Sequence, residues 1–139
     1  MLIAGVSLAL ASEKRVRFQD LPKPVQKAAA TQTQGANVHG YSKETENGQT
    51  LYEVETTTAG RSKDLLFDAS GNVVEMEQQV DMATLPAAVQ DGLRKAAAGA
   101  TIAKVESVTK GSQVSYEAAT VKAGKHGEVA VDSEGRPTH

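Results

Sequence analysis

Leu85-Pro86-Ala87-Ala88-Val89-Gln90 restates, at a distance of 85 − 21 = 64 positions, the stretch Leu21-Pro22-Lys23-Pro24-Val25-Gln26. The same shift, without a gap, pairs Gly35-Ala36 with Gly99-Ala100, Gln49 with Gln113 and Tyr52-Glu53 with Tyr116-Glu117. It also pairs Thr56 with Thr120, Ala59-Gly60 with Ala123-Gly124, Asp68 with Asp132 and Gly71 with Gly135. Self-similarity at one fixed spacing marks a supersecondary unit used twice. The shared residues are turn formers and core positions in the same order, which chance does not arrange.

Each unit opens on a helix. Leu85, Val89, Leu93 and Ala97 recur every four residues and make one apolar stripe. Thr84 is the expected N-cap, with Pro86 tolerated in the first turn. Leu21, Val25 and Ala29 hold the same stripe in the first unit, where Pro24 removes a further N–H and moves the expected start to about Lys23. Gly35 and Gly99 are placed to end the two helices. Strands are expected next at 37–44, 49–57, 62–68 and 72–79, then at 101–109, 113–121 and 128–132. Asn47-Gly48 is a hairpin signal, and Asp68-Ala69-Ser70-Gly71 reads as a type I turn with Gly in the left-handed position. Tyr52, Val54 and Thr56 alternate with Glu53 and Glu55, so one face is expected to pack on the helix and the other to meet water or a partner. Pro137 breaks the second copy where the first continues as Val73-Val74-Glu75, so that copy's last strand is expected to be short or absent. Its third strand would then be an open edge suited to strand addition.

Composition narrows the function classes. The chain has 139 residues, net charge −2, no Cys and no Trp. Scattered basic residues without interleaved aromatics argue against nucleic-acid binding. The lack of Cys excludes disulfides, thiolate zinc sites and cysteine nucleophiles. Residues 2–10 form an apolar run closed by Ala9-Leu10-Ala11, an A-x-A pattern, and polar sequence follows at Ser12-Glu13-Lys14-Arg15. This reads as a signal peptide over 1–11 and places the protein in the periplasm or outside the cell. It is too short to span a membrane. No Lys or Arg precedes the run, so a late start codon or a short buried first strand are the other readings. The expected organisation is a leader at 1–11, one unit at 12–79 and a second at 80–139.

A helix opened by Leu-Pro-x-x-Val, a meander with Tyr-Glu in its second strand, and Asp-x-x-Gly before its fourth resemble the PepSY-like, or β-lactamase-inhibitor-like, family. The matching residues are Leu21, Pro22, Val25, Tyr52, Glu53, Asp68 and Gly71, then Leu85, Pro86, Val89, Tyr116, Glu117, Asp132 and Gly135. The resemblance implies an α+β fold of two tandem helix-plus-antiparallel-meander repeats, helices packed on one face of a curved antiparallel sheet. It also implies an exported protein; relatives include propeptide modules that restrain peptidases and a fold that inhibits β-lactamases. The short final strand departs from the pattern.

Chemistry-bearing motifs are sparse. His39, His126 and His139 lack ligand spacing and read as surface residues. Asp68-x-x-Gly71 and Asp132-x-x-Gly135 lack the alternating oxygens of a calcium loop and read as hairpin turns. There is no G-x-S-x-G elbow, phosphate loop or dinucleotide fingerprint. The acidic pairs Glu53/Glu55 and Glu75/Glu77 read as a solvated surface unless a cleft shields them. Tyr52 and Tyr116 are expected between helix and sheet, while Tyr41, which faces Val105 in the alignment, is a candidate contact. The sequence therefore points to a non-catalytic exported module, protein-binding or restraining a peptidase or other hydrolase. Its candidate binding residues are Tyr41, Glu53, Glu55, Arg61 and Lys63. No cofactor or metal is expected, and the partner would be another exported or envelope protein. A periplasmic small-ligand or envelope-stress sensor with a groove between the repeats is the alternative, and an enzyme ranks last.

Overall fold

The computed structural model describes residues 13–138. The leader expected at 1–11 and His139 lie outside the described residues. The elements are β1 (Lys14–Val16), α1 (Lys23–Gln32), β2 (Asn37–Glu46), β3 (Gln49–Thr58), β4 (Arg61–Phe67) and β5 (Val73–Val80), followed by α2 (Ala87–Ala97), β6 (Thr101–Lys110), β7 (Gln113–Lys122) and β8 (Lys125–Asp132). The strands form an eight-stranded sheet in chain order, so the fold is α+β. The chain divides into two compact units at Glu77/Gln78, and β5 runs across the division.

In the first unit α1 is entered from Pro22, which stands as its N-cap without a side-chain hydrogen bond. Gln26 instead reaches back, its Nε2 donating to the Leu21 carbonyl at 2.8 Å. Leu21, Val25 and Ala29 are buried from the helix side against Val54, Leu65 and Phe67 of the strands. Each such aliphatic burial is worth about 1.5–3 kcal/mol. The β2–β3 register runs from Asn37↔Thr57 to Glu46↔Gln49, with a bulge between Val38 and Gly40. Asn47 and Gly48 both take positive φ, 49° and 77°, as a tight primed turn requires.

The second unit has the same construction from different side chains. Pro86, not the expected Thr84, is the N-cap of α2. Thr84 ends a 3-10 turn (Met82–Thr84), and its hydroxyl donates to the Asp81 carbonyl at 2.8 Å. Gln90 Nε2 donates to the Leu85 carbonyl at 2.9 Å. Val89 and Leu93 pack on Val105, Ala118 and Val131. Volume is traded between helix and sheet: Ala29 and Phe67 in one core stand where Leu93 and Val131 stand in the other. The β6–β7 register starts at Thr101↔Val121, with its bulge between Ile102 and Lys104. Each of these positions lies 64 residues beyond its counterpart in β2–β3, as 101 − 37 = 64 and 102 − 38 = 64 show.

The Asp-x-x-Gly turns lock each sheet to its helix. Asp68 Oδ1 accepts the N–H groups of Ser70 and Asn72 at 2.9 and 3.0 Å, and Asp132 Oδ1 accepts those of Glu134 and Arg136, both at 2.9 Å. These donors hold both carboxylates below their ordinary range, led by Asn72 at Asp68 and by Arg136 at Asp132. A Cβ on Gly71 would meet the Pro24 carbonyl oxygen at 2.6 Å, and one on Gly135 would meet the Ala88 carbonyl oxygen at 2.0 Å. The glycine lets the turn press directly on the first helical turn.

One edge of the sheet differs from the sequence reading and the other agrees with it. β1 was not expected as a strand, and it covers only the middle of β2, from Lys14↔Lys43 to Val16↔Tyr41. At the far end, the residues after Gly135 form no full strand. Among the described residues they make one bridge, Val131↔Pro137, with the Thr138 N–H donating to the Ala130 carbonyl at 3.1 Å.

Candidate functional site

The face of the first unit's sheet opposite α1 carries the titratable groups. Register sets Arg15, Ser42, Glu53 and Leu66 in one row across β1 to β4, and Gly40, Glu55 and Asp64 in the next. Glu53 is only 2% exposed, and Ser42 beside it is fully buried. The Ser42 hydroxyl donates to Glu53 Oε2 at 3.0 Å. Arg15 Nη2 meets Glu55 Oε2 at 3.0 Å, and its guanidinium lies where a Cβ on Gly40 would stand. Asp64 Oδ1 accepts the Thr56 N–H at 3.1 Å.

Glu53 is therefore not the solvated carboxylate expected from strand alternation. Burial pushes its carboxyl up to about 8 against the Ser42 hydrogen bond, and the charges of Asp64, Glu55 and Glu13 add to the rise. Oxygens of Glu13, Glu53 and Glu55 lie within 4.8 Å of one another, the spacing of hard-cation ligands.

The second unit repeats the acidic character. Glu117 stands 64 positions after Glu53, and Glu128 stands 64 after Asp64. Register places Glu106 beside Glu117 and Ala119 beside Glu128. Burial, then the charge and hydrogen bond of Glu117, then the Glu106 charge push Glu128 up to about 8. Lys104 forms an ion pair with Glu106. Sequence reading passed over Ser42, Asp64 and Glu128, and named Glu117 only as the repeat counterpart of Glu53. The 64-residue shift was the available signal, but it pairs Glu128 with Asp64 as a carboxylate, not as an identity.

The five residues singled out from sequence do not form one patch. Glu53 and Glu55 share the acidic face. Tyr41 pairs with Val54 and Lys63 with Thr56, so both lie on the α1 side, together with Arg61 opposite Thr58. Tyr41 is half-buried against the core, and its ring lies 5.5 Å from that of Phe18. Tyr52 and Tyr116 pack against the two cores from the sheet. His39 Nε2 is 2.7 Å from the Thr57 hydroxyl on the surface.

A second feature lies at the β1 edge. Lys14, Arg15, Val16, Arg17, Asp20 and Lys43 line a cavity of about 450 Å³. Arg17 grips Asp20 through two hydrogen bonds of 2.8 and 2.9 Å, which lowers the Asp20 carboxyl below its usual range.

The family model described as β-lactamase-inhibitor-like, PepSY-like matches residues 10–74 and 50–136. The chain belongs to the PepSY-like family. Solved structures with a similar fold include proteins from Bacteroides. A crystal structure of "putative periplasmic proteins" from Bacteroides eggerthii superposes with a TM-score of 0.69 at 14% identity, covering 86% of each chain. A DUF2874 family protein from Bacteroides ovatus gives 0.64 at 17% identity over 86% of this chain and 85% of that one. A BLIP-like protein from Bacteroides fragilis gives 0.60 at 18% identity over 86% and 84%. No curated protein matches. Among the described residues, no helix of this PepSY-like chain is long and apolar enough to cross a membrane.

Proposed function

We propose that this PepSY-like protein is a non-catalytic, periplasmic or secreted binding module that engages another exported protein by non-covalent contact. The observation that carries this reading is the family match, which extends across both units, and the fold is like that of a BLIP-like protein. The acidic face agrees with it: Glu53 is held by Ser42 and Glu55 by Arg15, so each carboxylate serves an internal partner. On the α1 side contact would fall to Tyr41, Arg61 and Lys63, and on the opposite face to Glu55, with Glu53 beneath that surface. The closest functional analogy is restraint of a peptidase or other hydrolase. The recurrence of helix start, bulge, register and turn at one spacing supports a tandem duplication of units 12–79 and 80–139.

Immobilised protein should enrich a defined partner from periplasmic extract, and Tyr41→Ala combined with Lys63→Ala should reduce the yield. Extract that returns nothing above a bare-resin control would remove the proposal. The alternative, a small-ligand or envelope-stress sensor, draws on the basic cavity at β1. It requires that a small anion raise the melting temperature.

A further inference from the structure

We propose that the β1 edge of the first unit is a docking site for an acidic extended segment of a partner protein, which adds as a strand beside Lys14–Val16. The inference rests on the protein-binding reading above and names where and what that surface binds. Among the described residues β1 is the terminal strand of the sheet and pairs with β2 on one side only. An edge strand offers unpaired N–H and C=O groups that a partner strand can satisfy.

Charge says what kind of strand. Lys14 lies directly opposite Lys43 across the β1–β2 pair. Like charges at facing positions of an antiparallel pair repel. Asp20 is already engaged by Arg17 and Glu55 by Arg15, and Glu13 lies among the carboxylates of Glu53 and Glu55 on the opposite face of the sheet. Among the described residues neither lysine has an ion pair, and both are exposed. The surface therefore stays positive on a chain whose net charge is −2. A carboxylate between the two ammonium groups would turn their repulsion into attraction.

The cavity lined by Lys14, Val16, Arg17 and Lys43 gives such a carboxylate room. Phe18, 39% exposed and stacked at a tilt on Tyr41, supplies an aromatic wall for an apolar side chain of the same segment. Arg and aromatic residues at a partly recessed site are the composition of interface hot spots. A segment alternating Glu or Asp with Val, Ile or Leu matches both the pleat and the charge.

The probe is a fluorescein-labelled octapeptide alternating Glu and Val, titrated by anisotropy against the full chain. Saturable binding is expected. Lys14→Gln with Lys43→Gln should weaken it about tenfold or more. Methylation of alternate peptide amides, which removes strand pairing but keeps the charge, should weaken it as well. A melt followed by circular dichroism confirms that the double variant is folded. The site is overturned by equal binding to the double variant, by equal binding of a Lys/Val octapeptide, or by equal binding of the methylated probe. It is also overturned if inorganic phosphate displaces the octapeptide at matching concentration, which marks a small-anion site. Binding to phosphatidylglycerol vesicles that the double variant loses, with no peptide binding, overturns it in favour of a lipid surface. If the double variant still captures the extract partner undiminished, this location fails while the protein-binding reading stands.

Discussion

Glu53 carries an electrostatic cost that the rest of the strand must offset. Its carboxyl stays protonated in the fold to about 8, whereas the unfolded chain ionises near the ordinary value of 4.5. The stability supplied by the neutral form is complete below about 4.5 and is lost as the pH rises through 8, at up to about 1.4 kcal/mol per pH unit. Glu53→Gln keeps the shape and removes the ionisation. The melting temperature of this variant relative to the parent should therefore climb by several degrees between pH of about 5 and about 8.5. A pH-independent difference would mean that Glu53 is ionised in the fold. The turn glycines act through space. Gly135→Ala drives a Cβ into the Ala88 carbonyl at a φ of 81° and should cost roughly 2–4 kcal/mol. Gly60→Ala, at a similar φ of 78° but with nothing within 4 Å, should cost about 1 kcal/mol. Urea midpoints of the two variants check the order.

At the scale of elements, each helix is held by what lies beneath it and not by its caps, since Pro22 and Pro86 give no side-chain cap. Leu93, fully buried in the second core, compensates for the smaller Ala118 and Val131. Leu93→Ala should cost about 2–5 kcal/mol, measured by denaturant unfolding. A cost below about 1 kcal/mol would mean that the core relaxes to fill the space. The helices were legible because the four-residue stripe from Leu85 to Ala97 is unbroken. The hairpins were legible because Asn47-Gly48 and Asp68-x-x-Gly71 demand positive φ at known places. β1 was not, since three residues carry too little alternation to separate a strand from a leader's polar flank. The start of β8 at Lys125 was hidden by Gly127, a weak strand former.

For the whole molecule, the apolar run at residues 2–10 predicts export. If the apolar run is a leader, cleavage after Ala11 leaves a chain that begins at Ser12. N-terminal sequencing and intact mass of protein from the periplasmic fraction should report that residue. Full-length protein confined to the cytosol would refute export. Family membership was readable from amino-acid order because its marks depend on spacing along the chain: Leu21, Val25, Asp68 and Gly71 have counterparts 64 residues on. The α+β class followed from the same periodicities, which are local properties of the backbone. Tertiary structure alone decided which carboxylates are buried, that Ser42 answers Glu53, and that Lys14 faces Lys43. Those depend on register between strands distant in sequence, and strand alternation names two faces without saying which one water reaches.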